Sequence, residues 1–222
     1  MTDAHCHLSS GDPAVRELLV GRDFAGTHPW ESATVDRAAA LAGLERRLAA
    51  EPRLGVGEIG LDRLKDRTVS PEMRALFEDQ LRLAAAYRRP VVLHGAKCWG
   101  QVVETIRRLV PSAPSAESIP AFLFHGFSRS DGLIPDIVRL NGYISVGPAV
   151  LNDHAVNYRA LVRKIPLDRL LVETDRTESS ADETPPLADI FAKVAELRGL
   201  SIDEFERTVD RNLASFLASG GR

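Results

Sequence analysis

Two histidines flank a cysteine in Asp3-Ala4-His5-Cys6-His7, and further along the chain five more imidazole or carboxylate groups punctuate apolar runs. Side chains on a strand alternate faces, so His5 and His7 point one way and Cys6 the other. Leu54-Gly55-Val56-Gly57-Glu58-Ile59-Gly60 sets a carboxylate inside an apolar, glycine-rich run. An unpaired charge buried there would cost several kcal/mol, so Glu58 needs a cation. Val91-Val92-Leu93-His94 and Phe122-Leu123-Phe124-His125 repeat one design, an apolar strand closed by histidine with glycine next. Leu170-Leu171-Val172-Glu173-Thr174-Asp175 ends in two acids that share a face under strict alternation. Asp175, nearer the strand end, is the expected ligand. Four imidazoles and two carboxylates suit a pair of divalent ions about 3.5–4 Å apart, which would generate hydroxide and stabilise developing oxyanion charge.

Such residues need a scaffold that gathers distant strand ends. Strand-like runs near 2–7, 23–28, 54–60, 90–95, 121–127, 142–148 and 170–175 alternate with helical patterns near 31–51, 71–89, 99–110, 131–141, 153–164, 185–198 and 202–218. This alternation predicts a parallel sheet covered by helices. Ser70-Pro71-Glu72 reads as a cap followed by proline in the first turn, and Ser201-Ile202-Asp203-Glu204 as a capping box. The predicted fold is α/β, a TIM-type (β/α) barrel, whose strand ends open onto one rim. Seven strands are clear where a full barrel has eight, and residues 14–20 read as a stunted strand or a short helix. The barrel is therefore expected to be incomplete or distorted near its N-terminal region. Residues 1–222 read as one domain, and the stretches 111–120 and 176–186 as surface loops.

Lys plus Arg number 28 against 31 Asp plus Glu, a formal charge of −3, so no global field draws the chain to polyanions and any nucleic-acid contact must be local. Cys6 and Cys98 are the two cysteines and form no secreted-type disulfide framework. No leader pattern and no apolar run of membrane-spanning length is present, so a soluble, cytoplasmic chain is expected, with no membrane contact and no obligate protein partner.

Taken in order, Asp3-Ala4-His5-Cys6-His7-Leu8, Gly57-Glu58-Ile59-Gly60-Leu61-Asp62, Leu93-His94, Phe124-His125-Gly126-Phe127-Ser128 and Glu173-Thr174-Asp175 resemble the motifs of the TatD family of metal-dependent hydrolases, across nearly the whole chain. Gly26-Thr27-His28-Pro29-Trp30 is similar to that family's Gly-x-His-Pro element, and Asn212 with Phe216 to its closing Asn-x-x-x-Phe pattern. The resemblance implies two divalent ions, Zn, Mg or Mn. His5, His7, Glu58 and Asp175 would hold one, and Glu58, His94 and His125 the other, with Glu58 bridging. It implies a phosphodiesterase, specifically a deoxyribonuclease, acting on DNA or a small phosphodiester through a water activated by both ions and oriented or deprotonated by Asp175. Glu58 and Asp175 are thus the candidate catalytic residues, and His28 takes a substrate-side role rather than a ligand's.

The chain departs from the family pattern in three places. The region between the first motif and Gly26 is shortened to Ser9–Val20, as in a short-form subgroup. His94-Gly95-Ala96-Lys97 replaces a His-x-Arg element, exchanging guanidinium for ammonium and losing a bidentate phosphate grip. Asp175-Arg176-Thr177 replaces Asp-Ala-Pro and adds a cation. Of the four lysines, Lys65 and Lys97 lie just beyond strand-end motifs, so Lys65, Lys97 and Arg176 join His28 as candidate substrate-binding residues. Asp62 reads either as an acceptor orienting a neighbouring histidine or as a turn former, Asp3 as a strand anchor or an imidazole acceptor, and His154 as a solvent-exposed residue. Two other functions stay open: hydrolysis of a small amide, lactone or ester on the same scaffold, and a non-catalytic binding protein that retains it.

Overall fold

The computed structural model describes residues 1–110 and 120–218. The expected loop over 111–120 therefore lies, except for Pro120, outside the described residues. Among the described residues, eight parallel strands follow one another around the molecule: β1 (Thr2–Cys6), β2 (Arg16–Leu19), β3 (Phe24–Ala25), β4 (Gly55–Asp62), β5 (Val91–Ala96), β6 (Phe122–Phe124), β7 (Gly142–Val146) and β8 (Leu170–Val172). Hydrogen bonding groups them as a β1-β2 pair and a six-stranded sheet running from β3 to β8. The Val20–Phe24 bridge joins the two groups on one side. On the other, the Asp175 N–H donates to the His5 carbonyl (3.1 Å), and the His7 and Leu8 N–H groups to the Arg176 carbonyl (2.8 and 2.9 Å). The result is a distorted barrel of the TIM type.

Helices α2 (Pro71–Ala86), α3 (Trp99–Leu109), α4 (Ile134–Arg139), α5 (Val156–Lys164), α6 (Leu187–Arg198) and α7 (Ile202–Ala218) cover the arc from β4 to β8, and α1 (Arg37–Ala50) follows β3. Their start signals work as read: the Ser70 side chain accepts from the Met73 N–H ahead of Pro71, and Ser201 and Glu204 exchange capping bonds. Buried Met73, Leu76, Phe77, Leu81 and Ala84 on α2, and Phe205, Val209, Leu213 and Phe216 on α7, recur at the three- and four-residue spacing that makes an inward stripe.

The structure differs from the sequence reading in a few boundaries. Residues 14–20 contain strand β2, so the incompleteness lies in the outer layer: among the described residues no helix separates β1 from β2 or β2 from β3. Helix α1 begins at Arg37 rather than 31, because the Asp36 carboxylate caps it and His28 caps a separate single turn of 3-10 helix at Pro29–Glu31. His94 lies inside β5, two residues before its end, since pairing with β4 continues through Gly60–His94, Leu61–Gly95 and Asp62–Ala96. Gly60 makes that approach possible: its φ is +150°, and a Cβ there would sit 2.0 Å from the His94 carbonyl oxygen.

Candidate metal centre

Strand β1 delivers His5 and His7. Their Nε2 atoms lie 3.6 and 3.3 Å from Oε2 of Glu58, and 3.5 and 3.6 Å from Oδ1 of Asp175. Cys6 points the other way, its thiol 3.7 Å from the Leu18 carbonyl, as alternation demands. Strand β4 buries Glu58, whose other oxygen, Oε1, is 2.6 Å from both His94 Nδ1 and His125 Nε2. Six residues spread from position 5 to 175 thus meet at one end of the barrel. Asp175 gets there by leaving the strand, with a left-handed φ of +52°. Glu173 is turned to structural use instead. It accepts from the Gly126 N–H at 2.6 Å and the Ser145 hydroxyl at 2.5 Å, binding β7 and the end of β6 to β8.

The electrostatics call for positive charge between these groups. Burial works against an ionised Glu58, yet the surrounding His125, His5 and His7 hold its carboxyl well below the usual range. Burial likewise disfavours a charged His5, but Asp175 and Glu58 raise its proton affinity well above normal. His94 is raised against its burial by Glu58 and Asp62. Its Nε2 faces Asp62 Oδ2 at 2.8 Å and so carries a hydrogen, which leaves the Nδ1 lone pair against Glu58 Oε1 unless a proton or a cation intervenes. The buried Nε2 of His5 has no hydrogen-bond partner among the described residues, although it faces two carboxylate oxygens. Three overlapping sets, His5-His7-Glu58, His5-His125-Asp175 and His28-Glu58-His94, each bring donor atoms within 4.8 Å of one another. An orphaned imidazole nitrogen, anionic oxygens and this donor chemistry fit a divalent cation.

A family profile described as TatD related DNase matches residues 20–218. The chain belongs to the TatD family. It is 30% identical over 215 residues to the 3'-5' ssDNA/RNA exonuclease TatD of Dickeya dadantii (strain 3937), covering 89% of this chain and 77% of that one. The crystal structure of YjjV, a TatD homologue from Escherichia coli K12, superposes with a TM-score of 0.73 at 26% identity, over 93% of this chain and 78% of that one. A lactonase from Listeria monocytogenes shares the fold alone, with a TM-score of 0.58 at 12% identity over 83% of this chain and 62% of that one. As a TatD protein, the chain is a metal-dependent hydrolase on a TIM-type barrel.

Around the centre of this TatD chain, each acid near a ligand candidate has a visible role. Asp62 does both things its sequence context allowed: Oδ2 accepts from His94 Nε2 and from the Trp30 indole N–H (3.0 Å), while Oδ1 accepts from the Leu64 and Lys65 N–H groups (2.6 and 3.0 Å). Asp3 anchors its strand, taking the Thr174 hydroxyl at 2.6 Å and the Thr174 N–H at 3.0 Å. Burial pushes the Asp3 carboxyl up to about 6. The His28 Nδ1 accepts from the Trp30 N–H at 3.2 Å, and burial lowers its proton affinity to about 4.

Two cavities, of about 920 and 840 Å³, lie against the TatD centre and share Gly126, Ser128, Arg129 and Asp175 in their walls. Lys97 lines the second, where His94 and His125 are exposed to it. Lys65 sits 5.8 Å over the Trp30 ring. Arg176 contributes its backbone carbonyl to ring closure, and its side chain lines neither cavity. His154 is solvent-exposed as expected, at the wall of the larger cavity. Reading the sequence alone missed Trp30, Ser145 and Arg129. Trp30 could have been found two residues beyond His28, whereas nothing local marks Ser145.

Proposed function

We propose that this single-domain chain is a phosphodiesterase that hydrolyses single-stranded nucleic acid, using two divalent cations, Zn, Mg or Mn, in the cytoplasm. The observation that carries the reading is the division of Glu58: Oε2 faces His5 and His7, and Oε1 faces His94 and His125. One carboxylate so divided suits a bridge between two positions, with Asp175 completing the first beside His5 and His7. Cations held there would neutralise phosphoryl oxygens and acidify water. The relatives named as 3'-5' ssDNA/RNA exonucleases support the substrate class.

The chain's own groups then have distinct roles. Burial raises the Asp175 carboxyl, but the neighbouring His5 and His125 imidazoles bring it below the usual range, so it is ionised at neutral pH and can accept a proton from water attacking phosphorus. The phosphorus–oxygen bond to the departing nucleotide breaks as the new one forms. His28 belongs to one of the three donor sets, yet its Nδ1 accepts a backbone N–H, which places the ring hydrogen on Nε2. Its Nε2–H, 3.7 Å from Glu58 Oε1, is therefore a neutral donor at the edge of the centre, available to a substrate oxygen, and not a ligand. Lys97, on the cavity wall, and Lys65, above Trp30, supply compact positive charge on the substrate side.

The test combines elemental analysis of purified protein with digestion of end-labelled single- and double-stranded DNA, and with release of p-nitrophenol from a bis-phosphodiester and from a carboxylate ester. Stoichiometric divalent metal and chelator-sensitive cleavage of single strands are expected. Preferential ester hydrolysis would replace the nuclease reading with that of a carboxylic esterase, and metal-free, inert protein would point to binding alone.

A further inference from the structure

Among the described residues, six other than glycine adopt left-handed backbone: Arg67, Arg88, Lys97, Arg129, Asn141 and Asp175. Arg88 and Asn141 stand just past the ends of α2 and α4, where helices commonly finish this way. Lys97, Arg129 and Asp175 differ, because each follows a barrel strand and all three line the cavity of about 840 Å³. Strained residues gathered at one rim mark places where position matters more than ease of folding. Asp175 has its reason in the centre. Arg129 does not: φ is +58°, a conformation suited to glycine, and its exposed guanidinium makes no hydrogen bond or ion pair among the described residues. Within the fold, the strain brings no compensating contact.

Arg129 is also the one cation among the four residues that line both cavities. Its loop is pinned by Phe127, whose ring is 5.4 Å from that of Trp99, so the residue is held at the junction beside Asp175. Lys97 meanwhile leaves the neighbouring strand end with an ammonium, which grips phosphate at a point rather than through a two-pronged fork. We propose that Arg129 is the phosphate-gripping residue of this protein, holding the backbone of a nucleic-acid strand where it crosses from one cavity to the other past the metal centre. The assignment rests on the nucleic-acid reading above and adds the residue that distinguishes a strand from a small diester.

Arg129→Gly and Arg129→Lys separate this role from a structural one, since glycine relieves the backbone. Binding is read without turnover, by fluorescence anisotropy of a labelled thymidine decamer in chelator across a salt series. Thermal unfolding is recorded alongside, and metal-loaded protein is assayed on the decamer and on bis(p-nitrophenyl) phosphate. With glycine, decamer Kd and KM should each rise about tenfold, with a much smaller fall in kcat. The slope of log binding constant against log salt should shrink by about 0.7, the penalty on the small diester should be clearly smaller, and the melting temperature should hold or rise. Lysine should restore part of the binding. Unchanged decamer binding and salt slope in Arg129→Gly, or equal penalties on both substrates, overturn the assignment. If the unsubstituted protein cleaves the small diester but neither binds nor cuts the decamer, the nucleic-acid reading itself fails, a result visible before any substitution is made.

Discussion

The arc from β4 to β8 and the arc from β1 to β3 carry ligand candidates to the same point by different physical means. In the first, each strand is followed by a helix, and apolar residues such as Val92, Leu93, Leu123 and Ile144 are wholly buried. In the second, β1 runs into β2 and β2 into β3 without a helix, and Arg16, Glu17 and Leu19 of β2 are left partly or fully exposed. Polar ties add to the burial of Ala4, Leu18 and Phe24 there: Asp3 to Thr174, Thr2 to Asp210 on α7 at 2.8 Å, and the His7 and Leu8 amides to the Arg176 carbonyl. A barrel rim can thus be positioned by hydrophobic layering alone or by burial reinforced with a short set of hydrogen bonds. A ligand-bearing strand end does not require a helix of its own directly after it.

The sharpest way to break this comparison is at the group both arcs share. Glu58→Gln should lower turnover on the order of 100-fold or more in steady-state assays, because one side chain serves both sets of imidazoles. Near-normal rates would mean that the arcs do not converge on a common centre. Leu93→Ala probes the layered arc, where it should cost about 2–5 kcal/mol in urea unfolding. Asp3→Ala probes the tied arc. A cost of about 1–3 kcal/mol is expected from the lost Thr174 bonds, accompanied by weaker metal retention. A larger cost than that of Leu93→Ala would reverse the ranking of the two mechanisms.

A smaller effect follows from ionisation. The Asp3 carboxyl binds its proton more tightly folded, at about 6, than at the ordinary 3.8, so its contribution to stability is full below 3.8 and declines as pH rises through about 6. Asp3→Asn should therefore gain on the unsubstituted protein between pH 4 and 6 in matched melts, and parallel curves would show that Asp3 titrates normally.

The layered arc was the more legible of the two. Every strand from β4 to β8 announced itself by a short apolar run, and the caps at Ser70 and Ser201 marked helix starts because their chemistry is local. Residues 14–20 stayed ambiguous because β2 owes its form to pairing with β1, a tertiary effect that Arg16-Glu17-Leu18-Leu19 does not encode by itself. The six converging residues could be picked out by type and spacing. Asp175 was singled out over Glu173 by its place nearer the strand end, but the structural task of Glu173 was not legible, because strict alternation fails where Asp175 turns left-handed. Trp30 and Arg129 were hidden for a similar reason: their importance lies in what they stand beside, not in the residues around them in the chain.

Helix α7 clasps the two strands that close the ring. Its Asn212 donates to the Leu167 and Leu170 carbonyls at 2.8 Å each, fixing the start of the strand that leads to Asp175, while α7 also receives Thr2 through Asp210. Strand β1 and helix α7, far apart in the sequence, are thus joined at the same side of the ring that carries His5, His7 and Asp175. A chain cut before α7 would carry all six candidate ligands yet lack the clasp that ties both ends of the ring to one helix.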